Sequence, residues 1–242
     1  MFTQFDWLAL EVRAIEPALA WYTEVLALPV RERTAGSARL PVGDDGESLR
    51  LVEPGVGPRG GVHVHYALSI PPAAYDPWHD RLTAHGPVVE HDFGGLRSLY
   101  VDDPDGHCVE LATAAEVDGG ATGVAETFEV VLEVRDLEAA EARYAGLGAT
   151  VTGRGADRRR VRLDAGAIDL ELWEPRLGIA DGRGGLHVTM AGRVPDPHAA
   201  VDPIRDRLAA VEPLPVDAGG DGGAAGVRLR DPDGHVLELR RD

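Results

Sequence analysis

Lysine and asparagine are absent from this chain of 242 residues, and cysteine occurs once, at Cys108. A lone cysteine excludes an intrachain disulfide framework and a cysteine zinc cluster. Beside Glu110 on a predicted strand, it reads as packing rather than as a nucleophile. No apolar run approaches the ~20 residues needed to span a bilayer, and the N-terminus lacks a basic-then-apolar leader pattern. A cytoplasmic protein with no membrane partner is expected. All 24 cationic residues are arginine, against 41 acidic residues, for a net charge of −17. Such a surface repels nucleic acid, which is excluded as a partner. Codon bias in a GC-rich genome accounts for the missing lysine. The acidity points further, to a halophilic, high-salt cytoplasm in which dense carboxylates are screened from one another.

What is present is a phrase written twice. Asp103-Pro104-Asp105-Gly106-His107-Cys108-Val109-Glu110-Leu111 returns as Asp231-Pro232-Asp233-Gly234-His235-Val236-Leu237-Glu238-Leu239. Asp-Pro opens a turn, Gly supplies positive φ, and the alternation that follows is a strand with Glu opposite its apolar face. Other echoes match it. Leu8–Arg13 is answered by Val130–Arg135, Leu49–Pro54 by Leu170–Pro175, and Gly60-Gly61-Val62-His63 by Gly184-Gly185-Leu186-His187. Near-constant offsets, 121–124 residues for these echoes and 128 for the twice-written phrase, mean two homologous halves. Each half divides again into two strand–helix–strand–strand–strand units. An α+β chain of four βαβββ units is expected, with domains at 1–115 and 126–242 and a Gly/Ala-rich linker at 116–125.

These residues resemble the vicinal oxygen chelate superfamily of glyoxalases, bleomycin resistance proteins and extradiol dioxygenases. The strand–helix opening Leu8–Leu28, the Gly-Gly-x-His strands and both Asp-Pro-Asp-Gly-His-x-x-Glu-Leu endings carry the resemblance. It implies two tandem domains, each a cupped mixed sheet with helices outside and a ligand cavity inside. It also implies four metal-ligand positions per domain, on the first and last strands of each unit. Taken half by half, these read Trp7, Arg50, His63 and Glu110, then Glu129, Glu171, His187 and Glu238. Trp and Arg donate no lone pair, so the first set is expected to be metal-free. The second set is expected to hold a divalent ion (Mn, Fe, Mg or Zn), since three carboxylates and one imidazole suit hard or borderline cations.

The implied activity is of the isomerase or lyase type on a small substrate with vicinal oxygens, with Glu129 or Glu171 moving the proton. Extradiol-type dioxygenation is a weaker expectation with a single imidazole. A rival reading is a metal-free binding module for small molecules or antibiotics, lined by Trp7, Arg50, His63, His65 and Tyr100; Glu110 and Trp173 are further candidates for substrate binding. As a minor alternative to a metal-free first set, His63, His65 and Glu110 form a weak metal site. A homodimer is compatible with either. His107 and His235 read as solvated turn residues, Arg158–Arg160 as a solvated strand edge, Gly219–Gly223 as a loop that lids a cavity, and Trp21 and Tyr22 as helix core.

Overall fold

The computed structural model describes residues 1–44, 46–56, 60–115, 117, 123–156, 159–175, 188–214 and 226–242. The four units are present. The first comprises β1 (Gln4–Glu11), α1 (Ile15–Glu24), β2 (Glu32–Arg33), β3 (Ser37–Pro41) and β4 (Ser48–Val52). The second comprises β5 (His63–Ile70), α2 (Tyr75–Thr83), β6 (Val89–Asp92), β7 (Arg97–Asp102) and β8 (Cys108–Thr113). The third runs through β9 (Thr127–Glu133), α3 (Leu137–Gly146), β10 (Thr150–Arg154), β11 (Arg160–Asp164) and β12 (Asp169–Trp173). The fourth has β13 (Val188–Val194), α4 (Pro197–Val201), β14 (Ala210–Pro213), β15 (Gly226–Arg230) and β16 (Val236–Arg241). The sequence predicts a helix over 197–210 in that last unit. Pro203, lacking an N–H, instead turns the chain into a 3₁₀ stretch over Asp202–Arg207.

Two cupped eight-stranded mixed sheets result, but each is assembled from both halves. The first runs β14-β15-β16-β13-β1-β4-β3-β2 and so joins units one and four; the second runs β10-β11-β12-β9-β5-β8-β7-β6 and joins units two and three. The segment predicted as an interdomain linker therefore connects strands of one sheet. It crosses back to place β9 antiparallel to β5, with the Ala125 N–H donating to Ser69 O. Units one and four then pair their open edges, β1 against β13, which removes two strand edges from solvent.

Helices pack on the strands of their own units, α1 against β3 and β4 and α3 against β10, β11 and β12. Their buried faces join the apolar sheet faces in one cluster that runs through both sheets. Tyr22 is fully buried there. Local chemistry fixes the helix starts: Glu53 accepts from the Ile15 N–H, and Asp136 from the Ala139 N–H. Cys108 is buried, and burial pushes its thiol up, in keeping with the packing role.

The twice-written phrase clasps the two sheets together, which corrects its reading as a solvated turn. His107 and His235 are fully buried. In the second sheet's turn, Asp103 accepts from the His107 and Asp105 N–H groups, and the His107 Nε2 meets Glu11 O of the first sheet at 2.9 Å. Arg13 reaches Asp105 across the same junction at 2.7 Å. The first sheet's turn mirrors this: His235 Nε2 meets Val62 O at 3.0 Å, and Arg135 reaches Asp233 at 3.0 Å. A Cβ on Gly61 would lie 2.5 Å from the His235 ring, so a glycine at 61 is what admits the ring.

His235 faces an acceptor on each nitrogen, Asp231 Oδ2 at 3.1 Å and Val62 O, so its imidazolium form fits the site. Burial opposes that charge, but Asp231 outweighs it and raises the His235 pKa, while His235 holds Asp231 low against burial. The histidine's contribution is therefore complete below an unfolded pKa of about 6.5 and fades as pH rises through the folded value. Asp231's contribution fades instead as pH falls below about 4. His235→Gln should cost about 1.5–3 kcal/mol in urea unfolding at pH 5.5, and less at pH 9.

Candidate functional site

The register of the second sheet brings one residue from each relevant strand to the floor of its cup. Glu110 on β8 sits opposite Ala67, and His65 lies two residues earlier on β5. Glu171 on β12 sits opposite Val131, and Glu129 lies two residues earlier on β9. These four side chains point away from the apolar residues that alternate with them. All four are buried. His65 Nε2 is 3.1 Å from Glu110 Oε2 and 3.5 Å from Glu129 Oε1. One donor atom each from His65, Glu110 and Glu129 lies within 4.8 Å of the others.

Glu171 is engaged differently. Its Oε1 accepts from Arg160 at 2.6 Å and Arg162 at 2.9 Å, and its Oε2 from the Trp173 indole N–H at 2.6 Å. Arg162 also bridges to Glu129. The floor thus sets three carboxylates against two guanidinium groups and the His65 ring. Burial works against charging His65, yet hydrogen bonds to Glu110 and Glu129 win and hold its pKa up at about 9. The two carboxylates respond oppositely: burial raises Glu129, whereas His65 keeps Glu110 low despite burial. Tyr100 and Trp173 stand edge-on to the imidazole, at 5.6 and 5.9 Å between ring centroids. Burial, and then Glu110, push the Tyr100 phenol well up, so it remains protonated. Above the floor lies a cavity of about 530 Å³. Exposed Phe93 and Leu96, on the hairpin between β6 and β7, stand at its rim.

The first sheet repeats the register with other residues. Arg50 sits opposite Ala9 with Trp7 two residues earlier, and Glu238 opposite Ala191 with Thr189 two residues earlier. The set expected from the second half is therefore not brought together. Glu129 and Glu171 share the second cup, while Glu238 lies in the first, clamped by Arg228 at 2.7 Å and Arg240 at 3.0 Å. His187 lies outside the described residues, as does the Gly219–Gly223 loop.

The expected binding wall is divided too. Trp7 and Arg50 line the first cup, whereas His65, Tyr100, Glu110 and Trp173 line the second. His63 turns away from both and stacks on His107, with Nε2 3.3 Å from His107 Nδ1. Arg160, expected on a solvated edge, instead binds Glu171. Sequence reasoning also missed Arg162, although alternation with Val161 and Leu163 places it on the polar face of β11.

Residues 4–111 match the family model of the Glyoxalase/Bleomycin resistance protein/Dioxygenase superfamily. No curated protein matches the chain by sequence. Among solved structures, a point mutant of glyoxalase I from Zea mays aligns over 99% of this chain and 94% of its own, at 16% identity and a TM-score of 0.73. Unmutated glyoxalase I from Zea mays aligns over 98% and 92%, at 18% identity and a TM-score of 0.69. A protein of Bacillus subtilis subsp. subtilis str. 168 assigned as a dioxygenase aligns over 100% and 86%, at 18% identity and a TM-score of 0.70. These likenesses establish the shared fold. Among the described residues no helix is long and apolar enough to cross a membrane. Residues 4–111 are thus similar in sequence to the glyoxalase/bleomycin resistance protein/dioxygenase superfamily, and the chain as a whole shares the fold of glyoxalase I.

Proposed function

We propose that the second cup is the active centre of a divalent-metal-dependent enzyme of isomerase or lyase type, acting on a small substrate with two adjacent oxygens. The observation that carries this is the convergence of His65 Nε2 with Glu110 and Glu129 carboxylate oxygens beneath a 530 Å³ cavity. One imidazole and two carboxylates fit a borderline divalent ion such as Mn²⁺, Fe²⁺ or Zn²⁺, and three protein ligands leave positions open toward the cavity. Such an ion, when bound, supplies Lewis-acid polarisation of a substrate oxygen.

The chain's own groups do the remaining work. Glu171 is the carboxylate left outside the three-residue set, and Arg160, Arg162 and Trp173 fix its orientation. It is the group assigned to accept and return a substrate proton. The guanidinium of Arg162, partly open to the cavity, would pair with an anionic substrate group. Tyr100, held protonated, donates a hydrogen bond and does not act as a base. Trp173, Tyr100 and Phe128 supply apolar walls that keep water from the floor.

Calorimetric titration of chelator-treated protein with Mn²⁺, Fe²⁺ and Zn²⁺ tests the reading. One site per chain is expected. Because His65 carries a proton below about pH 9, uptake at pH 7 should release about one proton, measurable from the buffer dependence of the heat. Affinity should rise about tenfold per pH unit between about pH 6 and 8. One feature favours a second reading, a metal-free binding module: an imidazolium at His65 already balances the carboxylates with Arg160 and Arg162. Absence of uptake of all three ions at about pH 8 would select it.

A further inference from the structure

We propose that the cup of the first sheet is a second ligand site, taking a small organic oxyanion, a carboxylate or phosphate ester with a compact apolar body. The cavity there is about 420 Å³. Two of the four positions that hold carboxylates and imidazole in the other cup carry Trp7 and Arg50 here. Neither can ligate a metal. Among the described residues, five arginines and two glutamates line the cavity, an excess of positive charge on a chain of net charge −17.

Most of this charge is paired: Arg228 and Arg240 with Glu238, Arg39 with Glu32 at 3.4 Å, and Arg33 with Glu16. Arg50 has no carboxylate partner among the described residues. Its guanidinium lies 4.3 Å from the Trp7 ring centroid. A ring face attracts the cation but accepts no hydrogen bond along the guanidinium plane.

Three buried donors in this cup have no acceptor among the described residues: the Trp7 indole Nε1, Arg50 Nε and Arg240 Nε. Trp7 is only 5% exposed. Buried N–H groups without acceptors are rare and costly in native proteins. Here all three belong to side chains that line one cavity. An oxyanion supplies what they lack, several lone pairs on one group and a negative charge for Arg50, in the planar geometry that guanidinium groups favour. Burial, with Arg240 and Arg39 close by, already disfavours the Arg50 charge, and an anion would relieve that strain. Val52, Val56 and Leu214 form an apolar wall beside the charged floor, which fits an organic body rather than a bare inorganic ion.

The test titrates the intact protein with phenyl phosphate, benzoate and inorganic phosphate by calorimetry at low salt. Saturable 1:1 binding is expected for at least one organic probe, tighter than for inorganic phosphate. Preference for phenyl phosphate or for benzoate would identify the head group, and either ranking supports the site. Arg50→Gln should weaken binding by about tenfold or more, and Trp7→Phe, which keeps the ring but removes the donor, by about fivefold. Trp7→Phe also serves as the second variant should Arg50→Gln fail to fold. His65→Ala, in the other cup, should leave binding unchanged. No saturation by any probe up to about 10 mM, or binding lost in His65→Ala and kept in Arg50→Gln, overturns the proposal. Because the two cups are tested with different ligands and variants, failure here leaves the metal reading of the second cup intact.

Discussion

His65→Ala is expected to abolish divalent-ion binding and to lower the melting temperature by about 6–12 °C. The stability effect follows from what the substitution leaves behind. Glu110 and Glu129 are nearly inaccessible to water and both approach the same imidazole nitrogen. With the ring gone, two buried carboxylates face each other, and Arg162 reaches only Glu129. Removing one partner from a buried ion pair costs about 3–5 kcal/mol, most of it the uncompensated charge that remains.

The pH dependence separates this from a simple cavity effect. The folded His65 pKa, about 9, lies above the unfolded value of about 6.5. Its contribution to stability is therefore complete below about pH 6.5 and lost as pH rises through about 9. The variant's deficit should be widest where wild-type His65 contributes in full, near about pH 6.5. It should narrow toward about pH 10. A deficit independent of pH would point to packing instead. Thermal melts across that range decide the matter, and titration with Mn²⁺ at about pH 7.5 reports the lost site.

The same residues show where sequence reasoning reached and where it stopped. Glu110 and Glu238 could be placed on the cup face, because a strand after Asp-Pro-Asp-Gly has a fixed parity. The repeat offsets also matched segments that fall on equivalent strands, β1 with β9, β4 with β12 and β8 with β16. Offsets do not say which units share a sheet. That is decided by the return of the chain after β8, which puts β9 beside β5, and by the need of β1 and β13 to cover their remaining edges. Pairing the units half by half therefore mixed two cups, and put Glu238 beside Glu129 when they belong to different sheets.

His63 and His65 present a second limit. Both have the same parity, so alternation cannot separate them. The discriminating fact is register: a bulge lies between them, and His65, not His63, stands two residues before the partner of Glu110. By the offset 189 − 65 = 124, the fourth unit's equivalent of His65 is Thr189 rather than a histidine. His107 and His235 escaped because a histidine in a polar turn gives no local sign that another sheet will cover it. One signal was available at a distance. The missing Cβ of Gly61 is the space that the His235 ring fills.

Arg162→Gln is expected to tighten divalent-ion binding in the second cup by about ten- to a hundredfold while destabilising the metal-free protein. Arg162 binds Glu129 and Glu171 at once, and reaches Asp169 at 3.3 Å. Those carboxylates, in return, hold its guanidinium protonated against the burial that opposes the charge. It therefore competes with any metal for Glu129 and repels a divalent ion across a few ångströms. At an effective dielectric constant near about 20, repulsion between a guanidinium and a divalent ion held in the same cup would be worth roughly a few kcal/mol, and solvent at this partly exposed side chain reduces that to about a third or less. Glutamine keeps a donor for Glu171 but removes the charge, and Arg160 remains to orient that carboxylate. The signature is a crossing: without metal the variant should melt below the wild type, and with saturating Mn²⁺ its melting temperature should rise further than that of the wild type. A structural ion pair unconnected to metal binding would lower both melting temperatures equally. Melting curves with and without Mn²⁺, with His65→Ala as the control that cannot respond, distinguish the two.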